Sequence, residues 1–339
     1  MDNRLRIKDV TCIGAVTGAD APVPTTERFG IHATDLGIVW DGGDGRVFVL
    51  FGDTFGSSWG GEGAGPWDDQ WRCNTLAFSQ NHDLEHGMRL DEAVVDANGF
   101  ARQVIASDIG FGREQSVIPT AGIEVDGRHY VHYMSVREWR SPGRWQTNHA
   151  GIAVSEDGGQ QWQKSADARW NNDDTGGGCF QLGAFVREGE HVYLFGTTNG
   201  RFGPAYLARV PAARIDNIDA YTYFDGADWA HSAAAAVPVL DGPVGELSVA
   251  FNTRVDRWLA LHLDEERAEI VLHATETLTG PWEQIGSVAS GQTYPGLYGG
   301  YLHPWTMDSH EICFLLSRWA PYNVFLMRCR LELVATKSD

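Results

Sequence analysis

The chain has 339 residues, 11% of them aromatic, with 13 Trp, 40 Gly and a formal net charge of −19. That acidity, with a pI near 4.9, argues against nucleic acid or an anionic membrane surface as partner. Frequent Trp and Gly suit many short strands and turns better than helices. Five cysteines without a C-x-x-C argue against a disulfide framework or zinc knuckle and point to free thiols; Cys313 and Cys329 alone could oppose each other across the last hairpin.

The opening MDNRLRIKDVTCIG has no apolar signal-peptide core, and no run is long enough to span a bilayer. No export signal is recognised, localisation stays unassigned, and membrane insertion is not expected. Residues 6–16 have strand character but belong to no unit of their own.

The stretch 34–59 is the most informative in the chain. Apolar runs at 36–40 and 47–51 flank the turn-rich Asp41-Gly-Gly-Asp-Gly45, which predicts a β-hairpin. Both runs are almost continuously apolar, so both faces should be buried. Asp35 stands just before the first run and Asp53 just after the second. Antiparallel pairing about Asp44 places them directly opposite, with Cβ atoms roughly 4.5–5.5 Å apart. An acid at a strand end commonly caps its own turn. Two opposed acids on a buried hairpin are different: like charges so close are unfavourable, and such a pair separates into one acid and one base.

Further strands are predicted at 74–79; at 116–125, 129–135 and 150–155; at 181–187, 191–197 and 205–210, with 221–224 outermost; at 247–252, 258–262 and 270–275; and at 300–304, 312–317 and 324–331. Five similar strand-rich units at this spacing indicate an all-β, five-bladed β-propeller. One domain would span 1–339, with blades at roughly 28–82, 113–165, 178–224, 244–286 and 297–335. The fifth is one strand short, so 6–16 is expected to complete it and close the ring. Ser155-Glu-Asp-Gly-Gly-Gln-Gln-Trp162 fits the S-x-D-x-G-x-x-W "Asp box" of sialidase-like propellers, and Thr275-Glu-Thr-Leu-Thr-Gly-Pro-Trp282 is its counterpart in the fourth unit. Both read as structural turns whose Trp packs between blades. Residues 230–236 are Ala-rich but too short for a substantial helix.

Innermost strands of a propeller line a channel, and their ends form its mouth. Asp35, Asp53, Gln115, Ser116, Gln181, Glu246, Tyr298, Tyr301 and His303 are the candidates there. Glu246 reads equally as sugar acceptor or turn cap, and His303 equally as substrate contact or packing residue. The loops 57–72 and 137–148 add Trp59, Trp67, Trp71, Trp139 and Trp145, and aromatic loops at one end of a scaffold suit a binding cleft. There is no H-E-x-x-H, G-x-S-x-G, phosphate-binding P-loop or dinucleotide fingerprint. No metal site or cofactor is predicted; oxygen ligands leave little trace in sequence, so a structural channel ion such as Ca2+ stays open.

Thr34-Asp-Leu-Gly37, Phe51-Gly-Asp-Thr-Phe-Gly56, Trp71-Arg-Cys-Asn74 and Gly245-Glu-Leu-Ser-Val-Ala-Phe-Asn252 resemble one particular family. It is a group long catalogued as a domain of unknown function and now including endo-D-arabinanases, which cut the D-arabinan of mycobacterial arabinogalactan and lipoarabinomannan. The resemblance runs from about Gly14 to Leu333. It implies a five-bladed propeller with an essential Asp pair, matching Asp35 and Asp53, one as general acid and the other as nucleophile or general base. Arg72, Asn74 and Glu246 match as candidate sugar contacts, and the substrate would be an extracellular cell-wall polymer.

Two carboxylates are what glycoside cleavage requires. Direct opposition favours the short spacing of retaining sites, and diverging side chains the longer spacing of inverting ones, so stereochemistry stays open. Three rivals share the residues: a non-catalytic carbohydrate-binding propeller, a glycosidase acting on L-arabinan or fructan, and a calcium-dependent lactonase-like hydrolase.

Overall fold

A computed structural model describes residues 3–172 and 178–335. After an N-terminal strand β1 (Asn3–Ala15) and a single-turn helix α1 (Thr25–Phe29), the chain builds five antiparallel sheets in succession. The first holds β2 (Ala33–Asp41), β3 (Val47–Phe55), β4 (Thr75–Ser79) and β5 (Glu92–Ala93), the second β6 (Ser116–Val125), β7 (Arg128–Trp139), β8 (Trp145–Ser155) and β9 (Gln163–Asn171). The third holds β10 (Leu182–Glu188), β11 (His191–Thr197), β12 (Ala205–Pro211), β13 (Thr222–Phe224), β14 (Trp229–Ala230) and β15 (Pro238–Leu240). The fourth is β16 (Leu247–Asn252), β17 (Arg257–Asp264), β18 (Glu269–Thr275) and β19 (Glu283–Ser290). The fifth joins β20 (Leu297–Leu302), β21 (Glu311–Arg318) and β22 (Asn323–Ala335) to β1, in the order β1-β22-β21-β20.

This is the five-bladed β-propeller expected, closed by the N-terminal strand. Pairing β1 with β22 covers what would otherwise be a long open edge. The innermost strands β2, β6, β10, β16 and β20 all begin at one end of the channel. The connections β3–β4, β7–β8, β11–β12, β17–β18 and β21–β22 return to that same end, which is the mouth described below.

The lead hairpin forms as its sequence requires. Asp41 Oδ1 accepts from Gly43 N at 2.8 Å and Asp44 Oδ1 from Arg46 N at 3.2 Å. Gly43 and Gly45 turn through positive φ, which costs glycine least. Every residue of β3 is buried and β2 nearly so. The Asp box is structural: Ser155 Oγ bonds Asp157, Asp157 accepts from Gln161 N, and Trp162 Nε1 donates to Gly159 O at 2.9 Å. Trp282 stands edge-on to Phe195 of the preceding blade at 5.8 Å.

Several expectations need correction. Residues 137–148 form no open loop, because β7 and β8 extend to Trp139 and Trp145 as a projecting hairpin. Residues 221–224 are not outermost, since β14 pairs beyond β13. Asp35 and Asp53 lie inside their strands rather than beyond the ends. Cys313 opposes Arg328 while Cys329 opposes Ile312, and all five cysteines are free. No helix among the described residues is long and apolar enough to cross a membrane.

Candidate functional site

The register of the lead hairpin breaks where the two acids stand. Thr34 pairs with Thr54, Leu36 with Phe51 and Ile38 with Leu50. Asp35 therefore faces both Gly52 and Asp53 across a bulge, and Gly37 compensates in the other strand one step later. Leu36 and Gly37 both have positive φ, at 67° and 79°. A β-branched or bulky residue rarely tolerates that conformation, so the backbone is strained at the acid pair. A Cβ on Gly52 would collide with Asp35 Oδ1, which explains the glycine in the middle of a buried strand.

Two tyrosines of the fifth blade hold Asp35. Its Oδ2 accepts from the hydroxyls of Tyr298 and Tyr322, both at 2.9 Å, while its Oδ1 is shielded and unpartnered. The residue as a whole retains partial exposure. Burial pushes its carboxyl up to about 8, and the Asp53 charge adds to the rise; the two tyrosines oppose it, and Glu246 adds a little more. Asp53 is only 7% exposed. Its Oδ1 accepts from Trp71 Nε1 at 2.9 Å and Ser116 Oγ at 3.0 Å. Burial raises it to about 6, and those two donors restrain the rise. Both carboxyls are thus pushed above the ordinary range, Asp35 the more of the two, an inequality of the kind acid–base chemistry uses.

The opposite wall is built on Arg201. Its guanidinium bonds Glu246 Oε1 at 3.0 and 2.7 Å and Glu265 Oε2 at 3.1 Å. It also lies 5.2 Å from the Tyr298 ring centroid and 5.8 Å from that of Trp145. Burial works against its charge, but Glu246 and Glu265 outweigh burial and hold it protonated. The second oxygen of Glu246 is buried and unpartnered.

Glu246 and Tyr298 therefore join Asp35 and Asp53 at the mouth. Gln115 is exposed on the rim, its side-chain oxygen accepting from Trp139 N. Asn74 instead bridges the first two blades: its amide donates to Ile105 O and Val117 O and accepts from Val104 N and Ile105 N. Gln181 accepts from Thr147 Oγ1 and donates to Trp170 O. Both amides are fully buried and occupied, so neither is free to bind a sugar. The Arg72 guanidinium donates to the main-chain carbonyls of Gly30 and Gln70; burial lowers it to about 10, against the pull of Asp96 and Asp68. His303 follows the far end of β20, so it sits at the other end of the channel, edge-on to Trp305 at 5.7 Å. Burial drives it down to about 4 and keeps it neutral, with Asp41 opposing.

Tyr322, Arg201 and Glu265 had no sequence signal as site residues. Each lies on a connection that only the closed ring brings to the mouth. Among the described residues, the trio close enough to share an ion is Asp83, Glu85 and His86, all exposed. It lies on the β4–β5 connection at the far end.

The propeller fold is shared with solved structures of low sequence identity. An alpha-L-arabinofuranosidase from Podospora anserina shares it at TM-score 0.52 and 12% identity, covering 97% of both chains. A protein of Bacteroides ovatus, provisionally named a hydrolase, superposes at TM-score 0.64 and 14% identity over 90% of this chain and 87% of its own. The chain belongs to the family described as Domain of unknown function (DUF4185), whose model matches residues 20–328. It is also 31% identical to "Notoamide biosynthesis cluster protein J" of Aspergillus sp. (strain MF297-2), over 86% of this chain and 81% of that protein.

Proposed function

We propose that the chain is a glycoside hydrolase with Asp35 as general acid and Asp53 as nucleophile or general base. The observation that carries this reading is a pair of buried carboxylates at one mouth with different partners, Asp35 bonded by the hydroxyls of Tyr298 and Tyr322 and Asp53 by Trp71 and Ser116; burial raises both, and Asp35 the more. Asp35 delivers its proton to the glycosidic oxygen as that bond breaks. The anomeric carbon gains oxocarbenium character, and Asp53 either attacks it or takes a proton from the attacking water. Tyr298 and Tyr322 accept none of this charge; they hold Asp35 in place and stabilise the carboxylate left after proton transfer.

For substrate we propose internal α-D-arabinofuranosyl linkages of mycobacterial arabinogalactan and lipoarabinomannan. This rests on the likeness of the 34–37, 51–56, 71–74 and 245–252 motifs to endo-D-arabinanases. The propeller likeness to an alpha-L-arabinofuranosidase supports a furanoside-cleaving fold without choosing the sugar. The test is a product profile from purified arabinogalactan, with L-arabinan and fructan in parallel. A ladder of short oligosaccharides from arabinogalactan alone is expected. Cleavage of L-arabinan or fructan instead would move the substrate, and retention of polymer without any product would make the chain a carbohydrate-binding propeller.

A further inference from the structure

Each acid of the pair is tied to an aromatic side chain that leads outward to an exposed indole. Trp71, the donor to Asp53, meets Trp67 edge-on at 6.5 Å between ring centroids. Tyr322, a donor to Asp35, meets Trp319 edge-on at 5.5 Å. Phe55 closes the row, 6.1 Å from Trp67 and 5.5 Å from Tyr322. Trp67 is 58% exposed and Trp319 53%, Trp71 is partly buried, and Phe55 and Tyr322 are fully buried. The connections carrying them are joined, since Gly63 N donates to Ala320 O at 3.1 Å.

A singly exposed apolar side chain needs no explanation, but two exposed indoles on joined connections, each in contact with a donor to the acid pair, form a local cluster at the mouth. Their flat faces suit the C–H surface of a sugar ring, while buried neighbours fix their positions at little entropic cost. We infer that Trp67 and Trp319 are stacking platforms for sugar residues beyond the cleaved bond, so that the mouth holds a polymer across several residues rather than one sugar end. This rests on the glycosidase reading for the placement of the bond, but not for the binding itself.

The test uses the full-length chain and purified arabinogalactan as probe. Affinity gel electrophoresis in the Asp53→Asn background measures binding, and release of product from the polymer and from a short arabinofuranosyl oligosaccharide measures cutting. Trp67→Ala and Trp319→Ala are each expected to weaken polymer binding about 3- to 10-fold, with Trp67→Phe and Trp319→Phe recovering most of it. Cutting of the short oligosaccharide should fall less than cutting of the polymer. Polymer binding unaltered in both Ala variants, or a wild-type chain that does not retain the polymer, would overturn the platforms. Binding that is lost in the Ala variants although the wild type never cuts would support the platforms while removing the glycosidase reading.

Discussion

Asp35 is the residue we propose as the general acid, and its environment makes a cost measurable without any substrate. An unfolded chain sheds this proton near 3.8, whereas the folded one keeps it to about 8. Between those values the native state holds a proton that the unfolded state has lost, so its contribution to stability falls as pH rises through that window. Asparagine cannot ionise and escapes the penalty. Asp35→Asn should therefore flatten the fall of melting temperature between pH 5 and pH 8, and raise the melting temperature at pH 8 by about 2–5 °C. Parallel slopes for variant and wild type would mean that Asp35 ionises freely. That the two acids stand near each other could be read from sequence, because a hairpin is local, but the bulge that replaces their direct opposition could not. Their partners could not: Tyr298 and Tyr322 reach Asp35 from 263 and 287 residues away, and nothing local distinguishes them from core tyrosines.

At the scale of elements, what sequence conveyed was the alternation of apolar runs and turns, and it located nearly every inner strand. What it concealed was irregularity. The bulge at Asp35 depends on Leu36 adopting positive φ, which no propensity for leucine suggests. The continuation of β7 and β8 to Trp139 and Trp145 was hidden by an Arg-rich stretch around Ser141-Pro-Gly143 that resembles a loop. Asn74 and Gln181 looked like ligands for the same reason that they are good struts: a buried amide satisfies main-chain groups of two elements at once. The closing strand was legible because the fifth blade lacked a partner. Since β1 pairs along β22, deleting residues 3–15 should expose that edge, lower the melting temperature and produce aggregates in size-exclusion chromatography. A deletion variant that stays monomeric with unchanged melting temperature would show that β22 needs no cover.

For the whole molecule, the propeller does two things to the acids. It buries them at the convergence of five blades, and it brings connections from distant blades to the same mouth, where Arg201, Tyr322 and the exposed indoles of Trp67 and Trp319 gather. Burial raises both acids above the ordinary carboxylate range, and the assembled rim is where we propose that a chain of sugars lies. Composition spoke to this level only by exclusion, since an acidic, Trp-rich all-β chain has few uses for nucleic acid or anionic membrane. The deciding measurement is the initial rate of wild type, Asp35→Asn and Asp53→Asn on arabinogalactan at pH 7, with folding of each checked by melting temperature. Loss of roughly 10²- to 10⁴-fold in both folded variants is the expected result. A folded variant of either kind that cuts within a few-fold of wild type would contradict the assignment of the pair.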